Sequence, residues 1–134
     1  MKDVIKYEKY ITAWRARKEK EVLETKKLAR RAIWLAEKCA DTLHQDFGAE
    51  RVFLFGSLAE GYFRKNSDID LIVEGLDDRY YFKALCKVHE VSEGFEVDLI
   101  PFEDYEYKED VFKQGVLFDV EKKKWENSPA DLYN

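Results

Sequence analysis

At 134 residues, 46% apolar and 15% aromatic, the chain has the length and apolar content to fill one core. No apolar run approaches the roughly 20 residues that cross a bilayer, and the start lacks the apolar stretch of a signal peptide, so neither a membrane span nor export is expected. The formal charge of −5 divides unevenly: residues 1–47 carry 12 Lys/Arg against 8 Asp/Glu and residues 48–134 carry 11 against 20, an acidic balance that argues against a general nucleic-acid groove.

Residues 1–47 contain neither Gly nor Pro, and their apolar residues recur at helical intervals: Ile5, Tyr7, Tyr10, Ile11 and Trp14, then Leu28, Ala32, Leu35, Ala36, Cys39 and Leu43. The spacing predicts a long helical segment that packs on the core or extends from it. The almost wholly charged run 15–21 parts the two stripes and predicts either a break or a solvent-exposed middle. Its basic residues read as a solvated face. An apolar stripe that cannot reach its own core, as Tyr7, Tyr10 and Trp14 would form beyond such a break, becomes a docking surface. Cys39 and Cys86 lie far apart, and with only His44 and His89 beside them no zinc spacing arises, so both read as packed thiols.

Gly48 stops the helix. Residues 51–55 are short, aromatic and β-branched and run into Gly56-Ser57, the pattern of a buried strand delivering its end to a tight turn. Strands follow at 69–73 and 95–100, with an amphipathic helix between them that Asp77 caps and Gly94 ends. After Pro101 a short helix over 103–114, a brief edge strand over 116–120 and a loosely ordered tail over 126–134 complete the reading. The fold class is α+β, a small mixed sheet with helices packed on it, and the core spans 48–125.

Asp68 and Asp70 stand two apart, so on a strand their carboxylates share one face while Ile69 and Leu71 enter the core. If the second and third strands are neighbours, Asp98 joins them. At about 4 Å and an effective dielectric near 20, each such pair costs roughly 4 kcal/mol when uncompensated. Divalent cations compensate it, and Mg²⁺ is typically shared between carboxylates and substrate phosphates. Gly56-Ser57 lies where backbone N–H groups and a hydroxyl can meet a phosphate, and Arg64 and Lys65 form a basic return loop before Asp68.

Gly-Ser, ten residues, then Asp-x-Asp, in VFLFGSLAEGYFRKNSDIDLIVEG, together with the later FEVDLIP and FKQGVLFDV, resembles the signature of the DNA polymerase β nucleotidyltransferase superfamily, and most of all its minimal nucleotidyltransferase (MNT) domains. The resemblance covers about residues 51–120. It implies that Asp68 and Asp70 bind two Mg²⁺ ions with bound nucleotide, that Gly56 and Ser57 hold the triphosphate with Arg64 and Lys65 in support, and that Asp98 completes the metal site and assists deprotonation of the acceptor. Glu60 stands where many such domains carry Arg. MNT domains typically pair with helical HEPN proteins as toxin–antitoxin systems, so the resemblance implies a cytoplasmic adenylyltransferase that moves AMP from ATP to a HEPN-type partner, in a homo- or hetero-oligomer. Two alternatives share the fold: a catalytically idle module that neutralises a partner by binding, and a transferase for small-molecule hydroxyls.

Overall fold

Arg, Lys, Glu and Ala dominate the charged stretch between the two apolar stripes, and all four are strong helix formers. The helix therefore continues through it. A computed structural model describes residues 2–134, and the side chains of Val4 and of residues 6–134; Ile5, placed in the first stripe, lies outside the described side chains. Helix α1 runs unbroken over Lys2–Phe47, 46 residues and about 70 Å at 1.5 Å per residue. No break occurs at residues 15–21, where Lys18 pairs with Glu21 at 3.4 Å and Lys20 with Glu24 at 3.9 Å. Such exposed pairs contribute only tenths of a kcal/mol, so continuity rests on propensity.

The two halves of α1 have different fates. Ala29, Ala32, Ile33, Leu35, Ala36, Cys39, Ala40 and Leu43 are buried, the alanines letting the helix approach the sheet closely. Every residue from 6 to 24 is exposed, including Tyr7, Tyr10, Ile11 and Trp14, so the first half is a solvent-exposed arm. An unpacked helix opens locally. In hydrogen exchange of the monomer, amides of residues 6–24 should exchange orders of magnitude faster than those of residues 29–43; equal protection would mean the arm is covered.

The sheet has the order β3-β2-β1-β4-β5. Strands β1 (Arg51–Phe55) and β2 (Ile69–Glu74) are antiparallel, β2 and β3 (Val97–Pro101) are parallel, and β4 (Val116–Asp119) runs antiparallel to β1. The parallel pair is joined by helix α3 (Tyr81–Val91), entered through a 3-10 turn whose first N–H groups include that of Arg79, bonded to the Asp77 carboxylate. β4 is not the edge. Lys124–Trp125 forms β5 outside it, after a turn at Lys123 with φ 58°, and Trp125 is buried with its indole N–H on the Ile33 carbonyl at 3.1 Å.

One sheet face, with Val52, Leu54, Ile69, Leu71, Val73, Val97 and Leu99, packs under α1 and α3. The opposite face carries a smaller cluster of Phe53, Ile72, Phe102 and Val111. The expected single helix over 103–114 divides into a 3-10 turn, Phe102–Asp104, and α4, Lys108–Gln114. Tyr105 between them is extended, and the Lys108 ammonium donates to the carbonyls of Glu103 and Tyr105 at 3.2 and 3.0 Å. Arg51 closes one end of this face, bound to both carboxylate oxygens of Glu74 and set against the rings of Phe53, Phe102 and Phe112. The other end is open.

The chain end is ordered rather than loose. Ser128 accepts the Ala130 N–H, Pro129 occupies the first helical position, and Pro129–Tyr133 is a 3-10 turn with Tyr133 buried. Cys39 is buried, and desolvation pushes its thiol up to about 12, which makes it inert. Cys86, expected to be packed, is exposed. His44 and His89 meet the backbone carbonyls of Ala49 and Val97.

Candidate active site

The open end of the second face is built by strand register. Phe55 on β1 stands opposite Asp70 on β2, and Asp70 is level with Asp98 on β3. Directly paired residues project to one side of a sheet, so Phe55, Asp70 and Asp98 form a row across three strands. Their neighbours Ile69, Leu71, Val97 and Leu99 point the other way and are buried. Asp68 falls one residue before β2 rather than within it. Residues 64–67 lead into it through a turn in which Ser67 N–H donates to the Arg64 carbonyl and Arg64 N–H to the Ser67 hydroxyl.

The electrostatics identify the row as under-compensated negative charge. Asp70 is half-buried, and its carboxyl is pushed from 3.8 up to about 6, first by desolvation and then by the charges of Asp98 and Asp68. Asp68 and Asp98 are exposed. Among the described residues no group of three or more His, Cys, Asp or Glu side chains is placed so that it could hold a metal ion as it stands. The aspartates of the row are hard oxygen donors open to solvent, the donor type that suits a Mg²⁺ ion keeping waters and taking further ligands from a phosphate substrate.

Gly56 brings the turn against this row. It has φ 74°, and a Cβ there would overlap Oδ2 of Asp70. Only glycine combines that backbone conformation with that approach. From it starts α2, Gly56–Glu60, which has no side-chain N-cap, so its first N–H groups and the Ser57 hydroxyl stand uncapped by protein side chains beside the row. Gly61, with φ 102°, ends the helix. Glu60 is exposed and receives the hydroxyl of Tyr62.

The structure gathers Gly56, Ser57, Asp68, Asp70 and Asp98 at one end of the sheet, with Arg64 and Lys65 on the turn just before Asp68. Those two line a cleft of about 610 Å³ against the middle of α1, with Lys18, Thr25, Lys26 and Tyr133, and none of the three aspartates lines it. One supporting residue escaped the sequence reading altogether. The Tyr133 hydroxyl accepts the Phe63 N–H at 3.1 Å and shares its proton between the carbonyls of Ser57 and Leu58 at 2.9 and 3.0 Å, bracing α2 from the far end of the chain. Arg30 and Lys26 hold the backbone carbonyls of Tyr133 and Asn134. The Ser-Pro start signal at residues 128–129 is legible; a contact across 76 residues is not. Tyr133→Phe leaves the Phe63 N–H buried without its acceptor and should cost about 1–3 kcal/mol in urea denaturation; an unchanged midpoint would show that the brace is idle.

Residues 36–126 match the family model described as "Nucleotidyltransferase domain". Among solved structures, a toxin–antitoxin crystallised with AMP-PNP aligns at 23% identity and TM-score 0.52, covering 72% of this chain and 79% of that one. A mutant of the toxin–antitoxin MntA-HpeT aligns at 20% identity and TM-score 0.50, with the same coverage. These likenesses show the shared fold. No curated protein matches the sequence.

Proposed function

Because the chain belongs to the nucleotidyltransferase domain family, we propose that it transfers a nucleoside monophosphate, AMP from ATP, to a side-chain hydroxyl of a helical protein partner of the HEPN type, as an antitoxin-like enzyme. The observation that carries the reading is the row of Asp70 and Asp98 in parallel register with Gly56 pressed against Asp70. Its fold neighbours include toxin–antitoxin structures, one of them with AMP-PNP, which supports both a nucleotide and a protein partner. Fold alone does not assign chemistry; the site does.

Asp68 and Asp70 are the residues to hold two Mg²⁺ ions, with Asp98 completing the second position. Bound there, the ions supply charge neutralisation at the attacking and leaving oxygens of an in-line displacement. Gly56 admits the triphosphate to the carboxylate row, and the Ser57 hydroxyl and the uncapped N–H groups of α2 orient its oxygens. Asp98, exposed at the rim, accepts the proton of the acceptor hydroxyl as the new O–P bond forms and pyrophosphate departs. Arg64 and Lys65 contribute at longer range, as positive potential on the approach to the row.

A second reading follows from Glu60. It places a carboxylate at the end of α2, where it disfavours a triphosphate, and so favours a catalytically idle module that neutralises its partner by occupancy. The two readings separate on incubation of the chain and its co-isolated partner with α-labelled or γ-labelled ATP. The transferase puts α-label, and no γ-label, on the partner. Stoichiometric complex formation with no α-label on either protein would establish the idle module.

A further inference from the structure

Beside the carboxylate row lies a run of aromatic rings that the proposed chemistry does not use. Phe55, the cross-strand partner of Asp70, meets Tyr105 edge to face at 5.9 Å between ring centres and 72° between planes. Tyr105 meets Tyr107 in the same manner at 6.2 Å and 75°. Packing accounts for the first two, which are half-buried against the smaller core. It does not account for Tyr107, which is 59% exposed, lies outside both core clusters, and stands in an acidic surface segment where a large ring has no structural task.

The segment is also held in place. Tyr105 N–H donates to the Phe102 carbonyl at 3.1 Å, the Tyr107 carbonyl accepts the Asp110 N–H at 3.0 Å, and Lys108 clips the carbonyls of Glu103 and Tyr105. The rings are therefore presented on fixed backbone rather than on a loose loop.

Resting on the nucleotidyltransferase reading, we propose that Tyr105 and Tyr107 form the nucleobase subsite, a stacking platform that takes the base of a nucleoside triphosphate whose phosphates lie at the carboxylate row. A perpendicular pair of rings offers a face to the base and an edge to its rim. Aromatic stacking is tolerant of base identity because every base has a π-face. The subsite therefore supplies affinity for the nucleoside without choosing strongly among bases.

The test is calorimetric titration of ATP, GTP, CTP, UTP and inorganic tripolyphosphate, each with Mg²⁺, into the wild-type chain, Tyr107→Ala and Tyr107→Phe. Tyr107 is exposed, so both variants should fold, and circular dichroism checks it. The platform predicts that Tyr107→Ala weakens all four nucleotides roughly tenfold, leaves tripolyphosphate unchanged, and that Tyr107→Phe restores nucleotide affinity. Tripolyphosphate binding retained while Tyr107→Ala binds nucleotides as the wild type does would overturn the platform alone. A wild-type chain that binds neither tripolyphosphate nor nucleotide would overturn the platform together with the reading beneath it.

Discussion

Asp70→Asn is expected to remove nucleotidyl transfer, by about a thousandfold or more, and at the same time to stabilise the metal-free protein at neutral pH. The first effect follows from the donor set: an amide offers one neutral oxygen where two cations require a shared anionic ligand, and the several kcal/mol of charge stabilisation the cations supply are forfeited at 1.36 kcal/mol per tenfold. The second follows from linkage. The folded carboxyl titrates at about 6 against an ordinary 3.8, so the folded state holds that proton more tightly than the unfolded chain does. The stability associated with Asp70 is then fully present below about 3.8 and is lost as pH rises through 6.

Above pH 6 the ceiling on that loss is roughly 3 kcal/mol. The half-exposed setting of Asp70 brings it nearer about 1–2 kcal/mol after solvent screening. Asn carries no charge and escapes the loss. Urea midpoints in chelator at pH 4 and pH 7 should therefore fall for the wild type relative to Asp70→Asn as pH rises. A variant that loses activity and also loses stability at pH 7 would show that Asp70 is held by structural bonds rather than strained by its neighbours.

Gly56→Ala should be nearly as damaging to transfer, by a steric route. The added Cβ meets Oδ2 of Asp70 well inside contact distance and Cγ at 3.1 Å, at a residue with φ 74°. Backbone strain in the left-handed region accounts for about 1–2 kcal/mol, and Asp70 must swing from the row to relieve the rest. The two sources separate in a double-mutant cycle. In an Asp70→Ala background the overlapping atoms are gone and only Cβ remains, at 3.4 Å, so Gly56→Ala should there cost only the strain, with coupling of order 1 kcal/mol. Additive effects in the cycle would contradict the close approach.

The strands that carry the site were legible because their residues alternate or run apolar between glycines: β1 ends at Gly56 and β2 at Gly75. A shared face of Asp68 and Asp70 was expected from a period of two, but Asp68 precedes β2, and the row that strand register builds runs through Asp70 and Asp98. Asp98 was conditional, since nothing local says which strands adjoin; the β2–β3 register supplies that link. The unbroken α1 was less legible, because a charged run marks loss of packing as readily as loss of helix. β5 is two residues long, too short for any periodicity, and is recognisable only through Trp125 in the core.

Tyr133 belongs to a different class of omission. Its residue type and its position near the chain end carry no local signal, and its role exists only once α2 and α1 are both in place to receive it. Arg64 and Lys65 likewise line the cleft beside α1 together with residues distant in the chain, a placement that local sequence does not announce.

Calorimetric titration of ATP into the wild-type chain, with Mg²⁺ and then with chelator, asks whether the carboxylate row holds a nucleoside triphosphate through divalent cations. Saturable binding with Mg²⁺ that vanishes in chelator is the predicted result. A folded protein that binds none of ATP, GTP, CTP or UTP in the presence of Mg²⁺ would contradict the claim and leave a fold that acts only by occupying its partner.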